Sequence, residues 1–161
     1  MQAEDDHPPG GGLGYALMQA ANAWRAELAA ALAPCSLTPA QFFVLSALLH
    51  TTRRRRRAPT QRQLSDRTGI DVNTTSQILR GLERRALVHR ETQPGDTRAV
   101  AITLTTPGLQ LARAAAREAR ALNRRYFADV EADPLLAVLS QLAADSQRRR
   151  ARSKRTSRGA N

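Results

Sequence analysis

A single cysteine, Cys35, in 161 residues excludes an intrachain disulfide and makes a reducing compartment the default. No apolar run approaches the ~20 residues of a membrane span. The opening MQAEDDHPPGGGLG carries acids where a signal peptide needs bases, and it lacks an apolar core. The expectation is a cytoplasmic protein without membrane contact. A glycine-rich phosphate loop, a nucleophile–base pair and a carboxylate pair are all missing, so an enzyme is not expected. His7, His50 and His89 have no cysteine or carboxylate at ligand spacing, which argues against a metal site, and no cofactor is implied. Lysine is nearly absent: Lys154 is the only one.

What is there is arginine, and a formal net charge of +11 that favours an anionic partner. Arginine's planar fork suits phosphate and guanine; a coding bias that raises Arg and Ala together accounts for the composition equally well. Placement says more than the total. Residues 1–50 carry one Arg against four acids, and residues 51–98 twelve Arg against five. Residues 99–147 balance five against five, and residues 148–161 hold seven bases and no acid.

Residues 1–12, acidic and then Pro- and Gly-rich, read as a disordered lead. Leu13, Leu17, Ala20, Trp24, Leu28 and Leu32 form one apolar stripe, predicting a helix over 13–33 ended by Pro34. Thr38-Pro39-Ala40-Gln41 combines an N-cap, a proline at the first helical position and a capping-box Gln. The helix it opens, to about His50, is apolar nearly all round and reads as buried and central. A second capping box, Thr60-x-x-Gln63, starts a short helix that Gly69 ends, and Asp71 caps the next.

In that next helix Thr75, Ile78, Leu79 and Leu82 share one face and Asn73, Gln77, Arg80 and Arg84 another. Leu87–Glu91 and Ala99–Leu104 have strand character around a Pro94-Gly95 turn, with Val100, Ile102 and Leu104 alternating as in a half-buried strand. Thr105-Thr106-Pro107 opens a long helix with Ala112, Ala115, Ala119, Leu122 and Tyr126 at 3-4 spacing. Asp133-Pro134 opens a last one with Leu135, Val138, Leu139 and Leu142. The order is mainly α with a small β wing: a winged helix-turn-helix over about 37–104 within a domain of 13–147. Residues 13–33 and 105–147 supply dimerisation helices, and 148–161 form a basic tail without apolar periodicity.

In such an arrangement the second helix of the motif enters the major groove of DNA, its N-terminal residues on base edges. Asn and Gln read adenine, Arg reads guanine, and Val or Thr meets a thymine methyl. The candidate readers are Val72, Asn73, Thr74, Ser76, Gln77, Arg80 and Arg84. At the hairpin tip Arg98 is placed to enter the minor groove, with Asp96 aiming its guanidinium. Arg53, Arg54, Arg55, Arg56, Arg57 and Thr60 are candidate phosphate contacts; a solvated, self-repelling loop is the competing reading of the arginine run. The tail either adds nonspecific affinity or is disordered without a dedicated role. Trp24, Phe42, Phe43 and Tyr126 are candidates to line an effector pocket, although aromatics at helical spacing are more often core. Cys35 reads as a small apolar residue before it reads as a redox sensor.

Five matches in order, from Leu37 to Leu111, make the chain resemble the MarR family of dimeric winged-helix regulators. They are Leu37-Thr38-x-x-Gln41-x-x-Val44-Leu45, Thr60-x-x-x-Leu64, Leu82-Glu83-x-x-x-Leu87-Val88-x-Arg90, Asp96-x-Arg98-Ala99 and Leu104-Thr105-x-x-Gly108. The resemblance implies six helices and a wing, and a homodimer on a pseudo-palindromic double-stranded operator. It also implies repression relieved by a small aromatic ligand or a stress signal, with Arg98 in the minor groove and Asp96 orienting it. Ala86 stands where the family usually has Gly, so a tight or strained turn is expected there; Thr75 fills a usually apolar position. An architectural, nonspecific nucleic-acid-binding protein is the alternative, supported by the net charge and both arginine runs.

Overall fold

The computed structural model describes residues 12–54, 57–93 and 96–158, and their side chains except those of 92, 93, 96–99, 147 and 149–158. The expected lead over 1–12 and the Pro94-Gly95 turn therefore lie outside the described residues, apart from Gly12.

Helix α1 (Gly12–Leu32) runs into a single 3-10 turn, Ala33–Cys35, which holds Pro34. Ser36 ends it at φ 50°, its N–H donating to Ala33 O at 2.9 Å while Leu37 N–H donates to Leu32 O at 3.5 Å. That pair of bonds is a Schellman closure, and the two leucines flanking it are both buried. Helix α2 (Pro39–Arg53) begins with the expected box: Gln41 N–H donates to Thr38 Oγ1 at 3.2 Å, and Thr38 N–H to Gln41 Oε1 at 3.0 Å. Thr60 and Gln63 make the same reciprocal pair at the start of α3 (Gln61–Thr68). Gly69, at φ 72°, closes α3 with a bond from its N–H to Ser65 O.

Helix α4 (Val72–Arg84) also ends in a Schellman closure, here with Ala86 at φ 52°. Ala86 N–H donates to Glu83 O at 2.8 Å and Leu87 N–H to Leu82 O at 3.0 Å. The missing glycine is thus a backbone cost, of about 1–2 kcal/mol for a residue with a Cβ in this region. Strands β1 (Val88–Gln93) and β2 (Asp96–Leu104) pair antiparallel, Val88 opposite Leu104 and Thr92 opposite Val100. Beyond Thr92 the register jumps, Gln93 pairing with Asp96, so residues 97–99 form a bulge on β2. Pro59 and Thr60 bridge the other edge of β2, with Ile102 N–H donating to Pro59 O at 3.0 Å.

Helix α5 (Thr106–Tyr126) buries Ala112, Ala115, Ala119 and Leu122 of the expected 3-4 stripe, with Tyr126 half-buried, and buries Gly108 as well. Thr105 caps it and ties it down: its hydroxyl accepts from Gly108 N–H and donates to Ala86 O at 2.7 Å, and its N–H donates to Leu87 O. A Cβ on Gly108 would sit 1.8 Å from Leu87 O, so only glycine permits this approach. The core of this first unit, which ends at Leu122, is mostly leucine: Leu28, Leu32, Leu45, Leu48, Leu64, Leu79 and Leu82, with Val44 and Ile102. The second unit, from Asn123, contains α6 (Ala132–Arg158).

Three sequence expectations need correction. Helix α2 buries Phe42, Val44, Leu45, Leu48 and Leu49, but Phe43, Ser46, Ala47 and His50 form a second, partly open face. Strand β2 does not alternate cleanly, because Val100 is 37% exposed while Ala101, under the Pro59–Thr60 bridge, is buried. The basic tail expected over 148–161 is helical as far as Arg158, as the last part of α6. Apolar periodicity reports burial rather than helicity, and 135–158 contain neither Gly nor Pro to stop a run of good helix formers.

Two substitutions test the turn. Ala86→Gly should stabilise the protein by about 0.5–1 kcal/mol, relief of strain outweighing the added freedom of the unfolded chain. Gly108→Ala should destabilise it by about 2–3 kcal/mol, the cost of overpacking against a fixed carbonyl. Urea denaturation of both variants measures the two shifts.

Candidate nucleic-acid interface

Helix α4 is held by its apolar face and by two hydroxyls. Leu79 and Leu82 are fully buried beside Thr75, whose hydroxyl reaches Ile70 O at 3.4 Å; Ser65 Oγ donates to the same carbonyl at 2.6 Å. The polar residue at a usually apolar position therefore has a partner in the turn between α3 and α4. Gln61 Nε2 donates to Val72 O at 3.2 Å, a further link between the two helices.

Asp71 caps α4, accepting from Thr74 N–H at 2.9 Å. The Thr74 hydroxyl, then backbone N–H groups, hold its carboxyl below the usual carboxylate value. A depressed value means the cap is complete at neutral pH and is lost only as pH falls through that lowered value.

Val72, Asn73, Thr74, Gln77, Arg80 and Arg84 are all exposed, and Ser76 is partly so. Asn73, Gln77, Arg80 and Arg84 lie on the side opposite Thr75, Leu79 and Leu82, while Thr74 and Ser76 fall on its two flanks and Val72, in the first turn, is open on the side of Leu79. This face offers two amides for adenine and two guanidinium groups for guanine, with methyl groups for thymine beside it. Gly81 leaves a bare stretch beside it, where the Arg84 guanidinium would lie 3.9 Å from an added Cβ.

The other expected site residues are placed less completely. The backbone of Asp96 and Arg98 belongs to β2, Arg98 within the bulge, but both side chains lie outside the described residues. So do Arg55 and Arg56. Arg53, Arg54 and Arg57 are exposed, and Thr60's hydroxyl oxygen accepts from Gln63 N–H as a cap.

Of the aromatic group, Trp24 stacks on Phe43 with centroids 6.2 Å apart and rings 22° from parallel. Phe42 is buried, and Tyr126, in the second unit, sits edge-on to Phe127. The cleft next to this stack is lined by Phe43, Ser46, Ala47, His50, Arg67 and Thr68 and has a volume of about 580 Å³. Arg67 Nη1 donates to the buried Thr51 Oγ1 at 2.7 Å, and that hydroxyl in turn donates to Ala47 O. Sequence reasoning missed Arg67, Thr51 and His50, since nothing local distinguishes an arginine near the end of a short helix from a solvated one.

The MarR family model matches residues 36–99. An uncharacterised HTH-type transcriptional regulator of Bacillus subtilis strain 168, YdcH, is 28% identical over 115 residues, covering 71% of this chain and 78% of that protein. A probable transcriptional regulator from Pseudomonas aeruginosa superposes with TM-score 0.73 at 27% identity, over 84% of this chain and 99% of that one. The transcriptional repressor CouR bound to a 23-mer DNA duplex gives 0.71 at 30% identity, over 83% and 92%. CouR from Rhodococcus jostii RHA1 bound to p-coumaroyl-CoA gives 0.71 at 25%, over 82% and 92%.

Base readout and backbone attraction separate in one titration. Gln77→Ala and Arg80→Ala should each lose about 1–3 kcal/mol on the best operator and much less on random DNA. Neutralising Arg53–Arg57 should weaken both DNAs alike and flatten the log–log salt slope by about 0.9 for each phosphate contact removed. Affinities for both DNAs across a salt series decide it.

Proposed function

The chain belongs to the MarR family of winged helix-turn-helix, DNA-binding transcription regulators, which are not enzymes, and from that premise we propose a homodimeric repressor of a pseudo-palindromic operator, acting in the cytoplasm and released by a small aromatic acid. The observation that carries the DNA side is the face of α4: amides and hydroxyls at its first turns, where a helix merely facing water usually carries Glu and Lys. Nonspecific attraction needs only bases along the backbone, so these neutral readers favour sequence specificity over the architectural alternative. In this reading Arg98 enters the minor groove from the β2 bulge with Asp96 aiming it, and the arginines of 53–57 hold phosphate beside α3.

The dimer is supported by apolar surface. Leu13 is 91% exposed on α1, with Leu17 and Met18 about half exposed; on α6, Leu136, Val138, Leu139 and Leu142 are open. A second copy is the natural cover, and obligate interfaces of this kind exceed ~2,000 Å². Residues 13–33 and 105–147 are then the dimerisation helices around the reading unit of 37–104.

The effector side rests on the α2–α3 cleft. Phe43, backed by Trp24, offers a flat apolar wall, while Arg67 and His50 offer cationic or donor groups. That combination suits a planar ring carrying a carboxylate. CouR, which binds p-coumaroyl-CoA, is a relative with an aromatic acyl ligand.

Selection of bound sequences from a random DNA pool should return an inverted repeat; no enrichment would move the protein to the architectural class. Sedimentation at micromolar concentration should show a dimer, and a folded monomer would refute the assembly. If an aromatic acid releases the DNA, Arg67→Ala should raise the concentration needed by about tenfold or more, the loss of one charge-assisted pair. Operator affinity without ligand should stay within about twofold.

A further inference from the structure

Arg90 and Glu83 are both in places that disfavour them. Glu83 lies in the last turn of α4, where a negative charge opposes the partial negative charge of the helix end. Arg90 is on β1, opposite Ile102, with its side chain only 25% exposed. Its Nε and Nη2 are enclosed and have no hydrogen-bond partner among the described residues, an unfavourable state for a buried donor. Among the described residues the counter-charge that the guanidinium meets is Glu83, with Nε 3.4 Å from Oε2: close enough to attract, but not aligned as a hydrogen bond. Neither residue helps its own element. Together they link the recognition helix to the first strand of the wing, across the Ala86 turn.

We infer that Glu83 and Arg90 are positioning residues that set the angle of the wing against the recognition helix, so that α4 and the β2 bulge engage DNA at the same time. The enclosed Nε and Nη2 are turned away from solvent, so Arg90 does not act as a phosphate contact through them. Ile102, opposite Arg90, is buried, which anchors this end of the hairpin while the bulge at 97–99 extends beyond it. The carboxylate on α4 is therefore a fixed point for the strand, and the misaligned pair leaves room to close into a hydrogen bond when DNA holds both elements. The inference rests on the proposed reading of operator DNA by helix and wing together.

The test is footprinting of the full-length parent, Glu83→Gln, Arg90→Met and the exchanged Glu83→Arg/Arg90→Glu protein on a selected operator. Dimethyl sulfate reports guanine N7 in the major groove, and hydroxyl radicals report the minor groove. At saturating protein both single variants should keep major-groove protection and lose minor-groove protection, with affinity about tenfold lower, in the range of coupled neighbouring pairs. The exchanged pair should restore the minor-groove signal. Single variants protecting both grooves like the parent would overturn the inference, as would loss of both signals together in variants that remain folded by circular dichroism. If the single variants unfold, the exchanged protein decides: folded but without minor-groove protection, it refutes the positioning role. A parent that shows no minor-groove protection at all refutes instead the reading of the wing as a DNA contact.

Discussion

The contact between Gly108 and the carbonyl of Leu87 is the constraint on which the arrangement of α4, the hairpin and α5 depends. The first turn of α5 lies directly on the backbone that ends α4 and begins β1, at a distance no Cβ permits. Thr105 completes the joint, bonding to Ala86, Leu87 and Gly108. Three elements thus meet at the backbone of Ala86, Leu87, Thr105 and Gly108. A displacement of α5 cannot leave the α4–β1 turn behind without breaking these bonds. Ala86 is strained within this joint and is held there by the Schellman bonds and by the burial of Leu82 and Leu87 on either side.

The helix-turn-helix follows a different logic, in which polar groups substitute for apolar packing. Ser65 and Thr75 both reach Ile70 O, so the turn between α3 and α4 is pinned by two buried hydroxyls. Capping then frees the reading face from structural duty. Asp71, Gln61 and the backbone N–H of Thr74 serve the helix start, while Asn73, Gln77 and Arg80 remain open to a ligand. In the proposed reading affinity and specificity come from separate places: charge concentrated in 51–98 and 148–161 attracts any polyanion, and the amides and hydroxyls of α4 choose among sequences.

Local signals made most of this legible. Both capping boxes, the Asp71 cap and the Gly69 closure sit where residue order puts them, because each is a contact among neighbours within four residues. The open face of α4 was equally readable, since helical periodicity alone separates Asn73, Gln77 and Arg80 from Leu79 and Leu82. The aromatic group fared less well. Trp24 does meet Phe43, but Phe42 turns into the core and Tyr126 falls in the second unit, because adjacent positions on a helix point in different directions. In the arginine-rich end of α6, low complexity concealed a continuous helix.

By itself the sequence determined the element order, the capped helix starts, the exposed polar face of α4 and the family, all through short-range rules of capping, periodicity and spacing. Only the tertiary structure decided which charged and polar side chains meet. Arg67 finds Thr51 sixteen residues away, Arg85 finds Ser36 forty-nine away, and Arg90 finds Glu83 across a turn. Arginine's long stem can reach many partners, and which one it takes depends on how the helices and strands pack around it.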